Sequence, residues 1–467
     1  MSEQVADAAN APQTAGDILI QEVRLIDRNN NEIDIQALMI ELNIFEDIFS
    51  NTLYGNILVN DGLSLIEKLP IIGEEYIRIR LQTPGWPDED NIFKTFRIYH
   101  ISDRKIVKSD RTQQYILHFV SSEAIIDTLF PISKTFGGPV DSTIAYIFDK
   151  YLNMPRNLFG KTEDQEAHES EDTTPLYIID ETKNSITFTS PRWTPLKCIN
   201  WLAARSIPKE SAGCNQLFFE TNKAFVFGSI EQLIKRQIEQ ELIAEHYIYA
   251  PNNIRGSSRD SNFNYKKQDI MKEYRIVESF TIENNFNTLQ NLQNGHYANR
   301  LYKFDVINKD YQWFDFDYVA QYGDYSHLET TGTREGGPFF TPSTIRNPEA
   351  KIMFYPTHPE LYTDVRDNAN DIIENTLQNR MSLLNDLDNY KITAVVPGRT
   401  DMEVGSVVRF DFPSVGPKDE NTSMEDAIDK YLGGLYLITA IRHKVTQNKH
   451  MMYLELIKDS AKRILGE

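Results

Sequence analysis

Between Gly73 and Gly85 the chain alternates residue by residue: Ile77, Ile79 and Leu81 share one side, Arg78, Arg80 and Gln82 the other, and Pro84-Gly85 ends the run. Successive strand side chains point to opposite faces. Strict alternation with charge outside therefore specifies a half-buried β-strand. The pattern returns near the other end. After Gly405, Val408, Phe410 and Phe412 share a face, Arg409 and Asp411 oppose them, and Pro413 closes the run. The segments downstream of the two runs are also alike. Strands over 95–107 and 114–120, around the polar turn 108–111, correspond to strands over Gly434–Val445 and Tyr453–Ile457. Even the exits match loosely, Ser121-Ser122-Glu123-Ala124 against Lys458-Asp459-Ser460-Ala461. Two related antiparallel β domains at the two ends of one chain explain this repetition.

The first domain is expected to begin with short strands separated by turn residues, through Ile18, Ile20 and Val23, then Leu42–Ile48, then Leu53–Asp61. The middle third changes period. Ile144, Ile147 and Tyr151 are spaced for a helix within 139–152. Thr194-Pro195 reads as an N-cap with proline at the first helical position, ahead of Leu196, Ile199 and Leu202. Leu217–Phe219 and Phe225–Phe227 flank the turn signal Thr221-Asn222-Lys223 and read as a hairpin. Ser229-Ile230-Glu231-Gln232 matches a capping box opening the next helix. Residues 247–320 return to β-like runs whose aromatics (Tyr311, Trp313, Phe314, Phe316, Tyr318) suit a core or a subunit interface. Residues 321–362, rich in Gly, Thr and Pro, read as an irregular excursion. Ala369, Ile373, Leu377, Met381 and Leu384 then mark a helix ending near Asp388.

The chemistry of the sequence points away from catalysis. There is no phosphate-binding glycine loop, no Gly-x-Ser-x-Gly turn, no His-Glu-x-x-His and no Cys-x-x-Cys. His100, His118 and His443 fall on expected strands as structural histidines. His168, in the acidic run 161–175, and His327 and His358, in the excursion, lack diagnostic metal spacing. No catalytic, cofactor-binding or metal residue is assigned. Cys198 and Cys214 read as free thiols of a reducing compartment. A formal net charge of -20 repels nucleic-acid phosphates, so tight DNA binding would need a local basic patch, and no long Lys/Arg run is found. Met1–Gly16 lacks an apolar core and reads as a flexible tail rather than a signal peptide. No stretch approaches the ~18 apolar residues that span a bilayer.

The segment Ile392–Val408, with Val396-Pro397-Gly398-Arg399-Thr400-Asp401, resembles the C-terminal tube domain of contractile-tail phage baseplate hub proteins. So does Gly433–His443. Asn51–Val59 resembles the start of such hubs, and 194–234 their second domain; the likeness is to the central hub family of T-even phages. The loops 84–94, 155–175, 321–362 and 414–430 depart from it. The resemblance implies an α+β, predominantly β chain with two tube-like antiparallel β-barrel domains and intervening mixed α/β domains. The expected division is a tail at 1–16, a first tube-like domain at 17–128, a mixed α/β domain at 129–245, a β-rich segment with excursion and helix at 246–388, and completion of the second tube-like domain at 389–467.

The resemblance also implies a structural protein of the virion's tail baseplate, assembled in the host cytoplasm. It would be a homotrimer whose six tube-like domains adapt a sixfold tail tube to a threefold spike. Its partners would be the central spike protein, the tail tube or tube-initiator protein, inner baseplate wedge proteins and the tape-measure protein. DNA would pass through its channel without specific binding, and no cofactor is implied. The alternatives are a wedge or adhesin protein, or a hub with cell-wall hydrolase activity.

Overall fold

The computed structural model describes residues 12–27, 30–68, 71–107, 112–153, 174–249, 270–284, 287–329, 346–357, 373–387, 390–412, 429 and 432–460. The acidic run with His168, the turn 108–111, His358, and most of the loops at 155–175 and 414–430 lie outside them. Among the described residues no helix is long and apolar enough to cross a membrane.

The chain is predominantly β, as expected, with helices set between its sheets. The first strands are β1 (Leu19–Ile26), β2 (Glu32–Asp34), β3 (Met39–Asp47), β4 (Tyr54–Asp61), β5 (Tyr76–Gln82), β6 (Ile92–Ile106) and β7 (Gln113–Ser121). The alternation read in the sequence is what buries: Ile77, Ile79 and Leu81 join Val23, Leu42, Ile57, Phe96, Leu117 and Phe119 in one core. Then come β8 (Thr135–Phe136), β9 (Leu176–Ile178), β10 (Phe188–Thr189), β11 (Gln216–Glu220) and β12 (Phe225–Ser229). With the helices Val140–Ile147 and Pro195–Ala203 they enclose a second core around Phe148, Ile199, Phe218 and Phe225. Last are β13 (Glu245–Ile248), β14 (Ser279–Asn284), β15 (Ala298–Asp305), β16 (Asp310–Asp317), β17 (Ile352–Thr357), β18 (Lys391–Pro397), β19 (Val407–Asp411), β20 (Gly434–Val445) and β21 (His450–Ile457).

The repetition read in the sequence reappears as topology. The first strand set is ordered β1-β5-β6-β7-β4-β3, and the last β13-β19-β20-β21-β18-β14. The registers coincide as well. Tyr76 faces Arg97 as Val407 faces Leu437. Tyr54 faces Val120 as Lys391 faces Ile457. A bulge between Ile98 and His100, opposite β7, matches one between Ile438 and Ala440, opposite β21. Just before each bulge, Ile98 N–H donates to Glu75 O (3.0 Å) and Ile438 N–H to Ser406 O (2.9 Å). An extra residue bends a strand and is a local feature that chance pairing does not reproduce at the same place. The sets differ at one edge: β1 runs antiparallel to β5, whereas β13 runs parallel to β19. No described pair of strands closes either set into a barrel.

Several local expectations are met through other groups than expected. The helix Pro195–Ala203 begins at the expected proline, yet Asp127 Oδ1, far away in sequence, accepts the Leu196 N–H at 2.6 Å. Ser229 Oγ accepts from Gln232 N–H (3.1 Å), giving the first half of the capping box, while the Gln232 amide reaches Glu210 at 3.5 Å. The run Ser185-Ile186-Thr187-Phe188-Thr189, alternating like a strand in sequence, pairs as one only at Phe188–Thr189, preceded by an isolated bridge from Ser185 to Pro139. The excursion at 321–362 is not wholly irregular: β17 lies within it, paired in parallel with β15 over Ile352–Thr357. Its period-2 signal, Met353, Tyr355 and Thr357 opposite Ile352, Phe354 and Pro356, is apolar on both faces and so gives no alternation to read. At the start of the chain, Gln13 and Thr14 N–H groups are gathered by Asp17 (2.6 and 2.8 Å), and Gly16 O accepts from His450 N–H (2.7 Å).

Candidate functional site

Among the described residues the two strand sets are sewn into one sheet at a single seam, β3 against β20, antiparallel from Ala440↔Asp47 to Val445↔Leu42. β20 is long enough to serve twice. Gly434–Leu437 pair with β19, and Ala440–Val445 pair with β3, while β21 covers its other side. On the outer face of the seam Arg442 Nε donates to Asn43 Oδ1 (2.9 Å). Glu41 meets both Arg442 Nη2 (3.4 Å) and Lys444 Nζ (3.0 Å). Against the opposing effect of burial, the hydrogen bond from Asn43 Nδ2 (3.0 Å), then Lys444 and Arg442, hold Glu41 below the usual carboxylate range. Arg442 also lies over the Phe45 and Tyr453 rings, 5.8 and 5.2 Å from their centroids.

On the inner face the seam buries histidines. His443 Nδ1 and His450 Nε2 are 3.0 Å apart, and His443 Nε2 is 3.5 Å from Glu46 Oε1. All three residues are essentially inaccessible. Burial, with His443 adding to it, pushes His450 well below the ordinary imidazole range. A Cβ at Gly398 would overlap the His450 ring, so the glycine of the Pro397-Gly398 pair is needed for close approach.

Elsewhere the strands present open edges. Among the described residues, β6 beyond Ile98 is paired only with β7, and Ile106 at its end is 75% exposed. Among the described residues β14 is paired only with β18, and its Ile282 is exposed. The sheet β16-β15-β17 has one covered face, where Gln378 of the helix Ile373–Asp386 donates to Asn299 O (3.2 Å) and Phe314 O (3.0 Å). Its other face is aromatic and uncovered: Trp313, Tyr302 and Phe354 stand in one row, with Tyr311 beside Trp313. The aromatic cluster read in the sequence thus divides, with Phe316 and Tyr318 in the core and Tyr311 and Trp313 on the surface.

A cleft between the middle segment and the last strand set is lined by Phe219, Thr221, Leu233, Asp401 and Glu403. Its carboxylates are both engaged: Asp401 by Arg399, and Glu403 by Lys223 Nζ (3.3 Å). Burial, then the neighbouring Glu46, raises Glu403 above its ordinary range. Among the described residues no group of three or more His, Cys, Asp or Glu is placed to hold a metal ion. His327 bonds Asp459 (2.9 Å) and stacks on Tyr322. His118 bonds Ser102 (2.8 Å). Cys198 and Cys214 are buried and unpaired with each other, both raised by desolvation, Cys214 to about 12. The seam residues Glu41, Asn43, Arg442 and Lys444 were not singled out from sequence. Their only signal is that polar side chains alternate with apolar ones in two strands some 400 positions apart, as the Glu41–Arg442 separation of 401 records.

No family model matches the sequence, and no curated protein matches it. Solved structures do resemble it. A tail protein from Neisseria meningitidis has 10% identity and a TM-score of 0.49, covering 94% of this chain and 96% of its own. The 43 kDa tail protein of prophage MuSo2 from Shewanella oneidensis has 9% identity and a TM-score of 0.47, covering 94% and 99%. A Francisella PdpA-VgrG complex has 9% identity and a TM-score of 0.43, covering 98% of this chain and 61% of that one.

Proposed function

We propose that this chain is the central hub of a contractile phage-tail baseplate, a structural protein of the virion. One observation carries the reading: a strand order repeated at the two ends of one chain, with matching register where β5, β6, β7, β4 and β3 correspond to β19, β20, β21, β18 and β14, and joined edge to edge at β3·β20. A protein that offers two equivalent units per chain can present sixfold contacts with threefold copies, which is what a tube-to-spike adaptor requires. The sequence resemblance of 392–408, 433–443 and 51–59 to hub proteins points the same way. Three copies would place six tube-like units in a ring around a channel for DNA and the tape-measure protein. The ring would dock on the tail tube or its initiator above, the central spike below, and the inner wedge proteins around it. A hydrolase function is not favoured, because both cleft carboxylates are engaged by cations.

The test is the mass of the purified chain by light scattering, with negative-stain images of the same sample, alone and with a trimeric spike. The expected result is a trimer imaged as a ring with a central channel. A chain that stays monomeric even with the spike overturns the reading.

A further inference from the structure

We infer that the free edge of β6 pairs with the free edge of β14 in a second copy of this chain, in the register of the internal β3·β20 seam. The inference rests on the hub reading only for the number of copies.

The equivalence of the two strand sets assigns each strand a counterpart. β6 corresponds to β20 through their bulges and their pairing with β5 and β19. β14 corresponds to β3. Ser279, Phe280, Thr281 and Ile282 face β18 as Glu41, Leu42, Asn43 and Ile44 face β4. Yet the counterparts are used differently. The far half of β20 is covered by β3, whereas the far half of β6, Tyr99–Ile106, has no described strand on that side. The outer edge of β14 has none either. Among the described residues each copy therefore carries two unfilled edges, each offering both N–H and C=O groups, whose equivalents fill each other inside the molecule. Unpaired edges are templates for another chain.

Transferring the seam gives the register. Leu42↔Val445 becomes Phe280 opposite Ile106, and Asn43↔Lys444 becomes Thr281 opposite Lys105. One additional residue in β6, at the bulge between Ser102 and Lys105 where Asp103 sits at φ 52, bends the strand just before this contact. Charge agrees with the transfer. At the internal seam the acid is on the β3 side and the bases on the β20 side. At the open edges the exposed acid Glu278 precedes β14 and the exposed Glu283 lies within it, and the exposed bases Arg104 and Lys105 lie on β6. Glu278 is shared with Lys449 (2.9 Å) and Glu283 with Thr393 within the chain. The contact is head-to-tail, so it closes only if the rotation per copy closes.

Residues directly opposite in an antiparallel pair have Cα separations that suit a disulfide, about 4.5–5.5 Å. The test is therefore the full-length variant Lys105→Cys/Thr281→Cys, oxidised mildly and run on a non-reducing gel beside each single variant. Both substituted positions are exposed and both native cysteines buried. Asn43→Cys/Lys444→Cys serves as the control, linking within one chain. The expected result is a covalent trimer from the double variant and none from either single variant. A trimer by light scattering that does not cross-link overturns the edge pairing and leaves the hub reading standing. A ladder extending past three supports the edge pairing and overturns the hub. A chain that neither associates nor cross-links overturns both.

Discussion

Lys94 and Glu220 form an ion pair of 2.5 Å with almost no exposure, 8% and 0% for their side chains. Glu220 also accepts the Leu53 N–H at 2.8 Å, so one carboxylate ties β6, the β3–β4 turn and β11 together. Removing one partner strands the other charge away from water. Lys94→Ala is expected to cost about 3–5 kcal/mol in urea unfolding, far more than loss of an exposed pair such as Lys209–Glu181. A cost below about 1 kcal/mol would mean that water reaches Glu220. His450 supplies a pH dependence. Its imidazole is held well below the ordinary range in the folded chain and titrates near 6.5 when unfolded. The unfolded state then binds the extra proton, so stability contributed by neutral His450 is full above about pH 6.5 and is lost as pH falls below it. Melting temperature should fall between about pH 7 and 5, and His450→Gln should flatten that limb. An unchanged slope in the variant would assign the acid limb elsewhere.

At the scale of elements, the helix Pro195–Ala203 shows what a sequence can and cannot specify. Its start was legible from Thr194-Pro195, because proline's fixed φ and missing N–H suit the first turn. Its cap was not, because the acceptor is Asp127, 69 positions away. Asp127→Ala should destabilise by about 1 kcal/mol, and Asp127→Asn, which keeps an acceptor, by much less. Equal losses from the two would show that charge rather than hydrogen bonding matters there. The alternating strands β5 and β19 were legible for a similar reason: one wet face and one dry face write a period of two into the sequence. β17 was not, since both its faces are apolar. The seam was only half legible. Repetition of the strand order could be read along the chain, but the pairing of Glu41 with Arg442 and Lys444 depends on which edge of one set meets which edge of the other. No local pattern encodes that choice.

For the whole molecule, the charge of -20 bears on what passes through or along it. An acidic wall repels phosphates, so the assembled chain should give no shift of duplex DNA in an electrophoretic assay even at low salt. A shift that vanishes with added salt would reveal a basic lining and would count against an inert channel. If the chain assembles as proposed, added salt should favour the assembly where like charges face one another across its centre.

β20 belongs to both strand sets at once, hydrogen-bonded to β19 near its start and to β3 near its end. The bonds across an antiparallel ladder run perpendicular to the strands. A pull along β20 therefore loads them side by side, and they must give way together rather than one after another as in peeling. Among the described residues, the two halves meet in a paired strand ladder. A thrust along one half therefore reaches the other through the hydrogen bonds of the β3·β20 ladder, loaded in parallel.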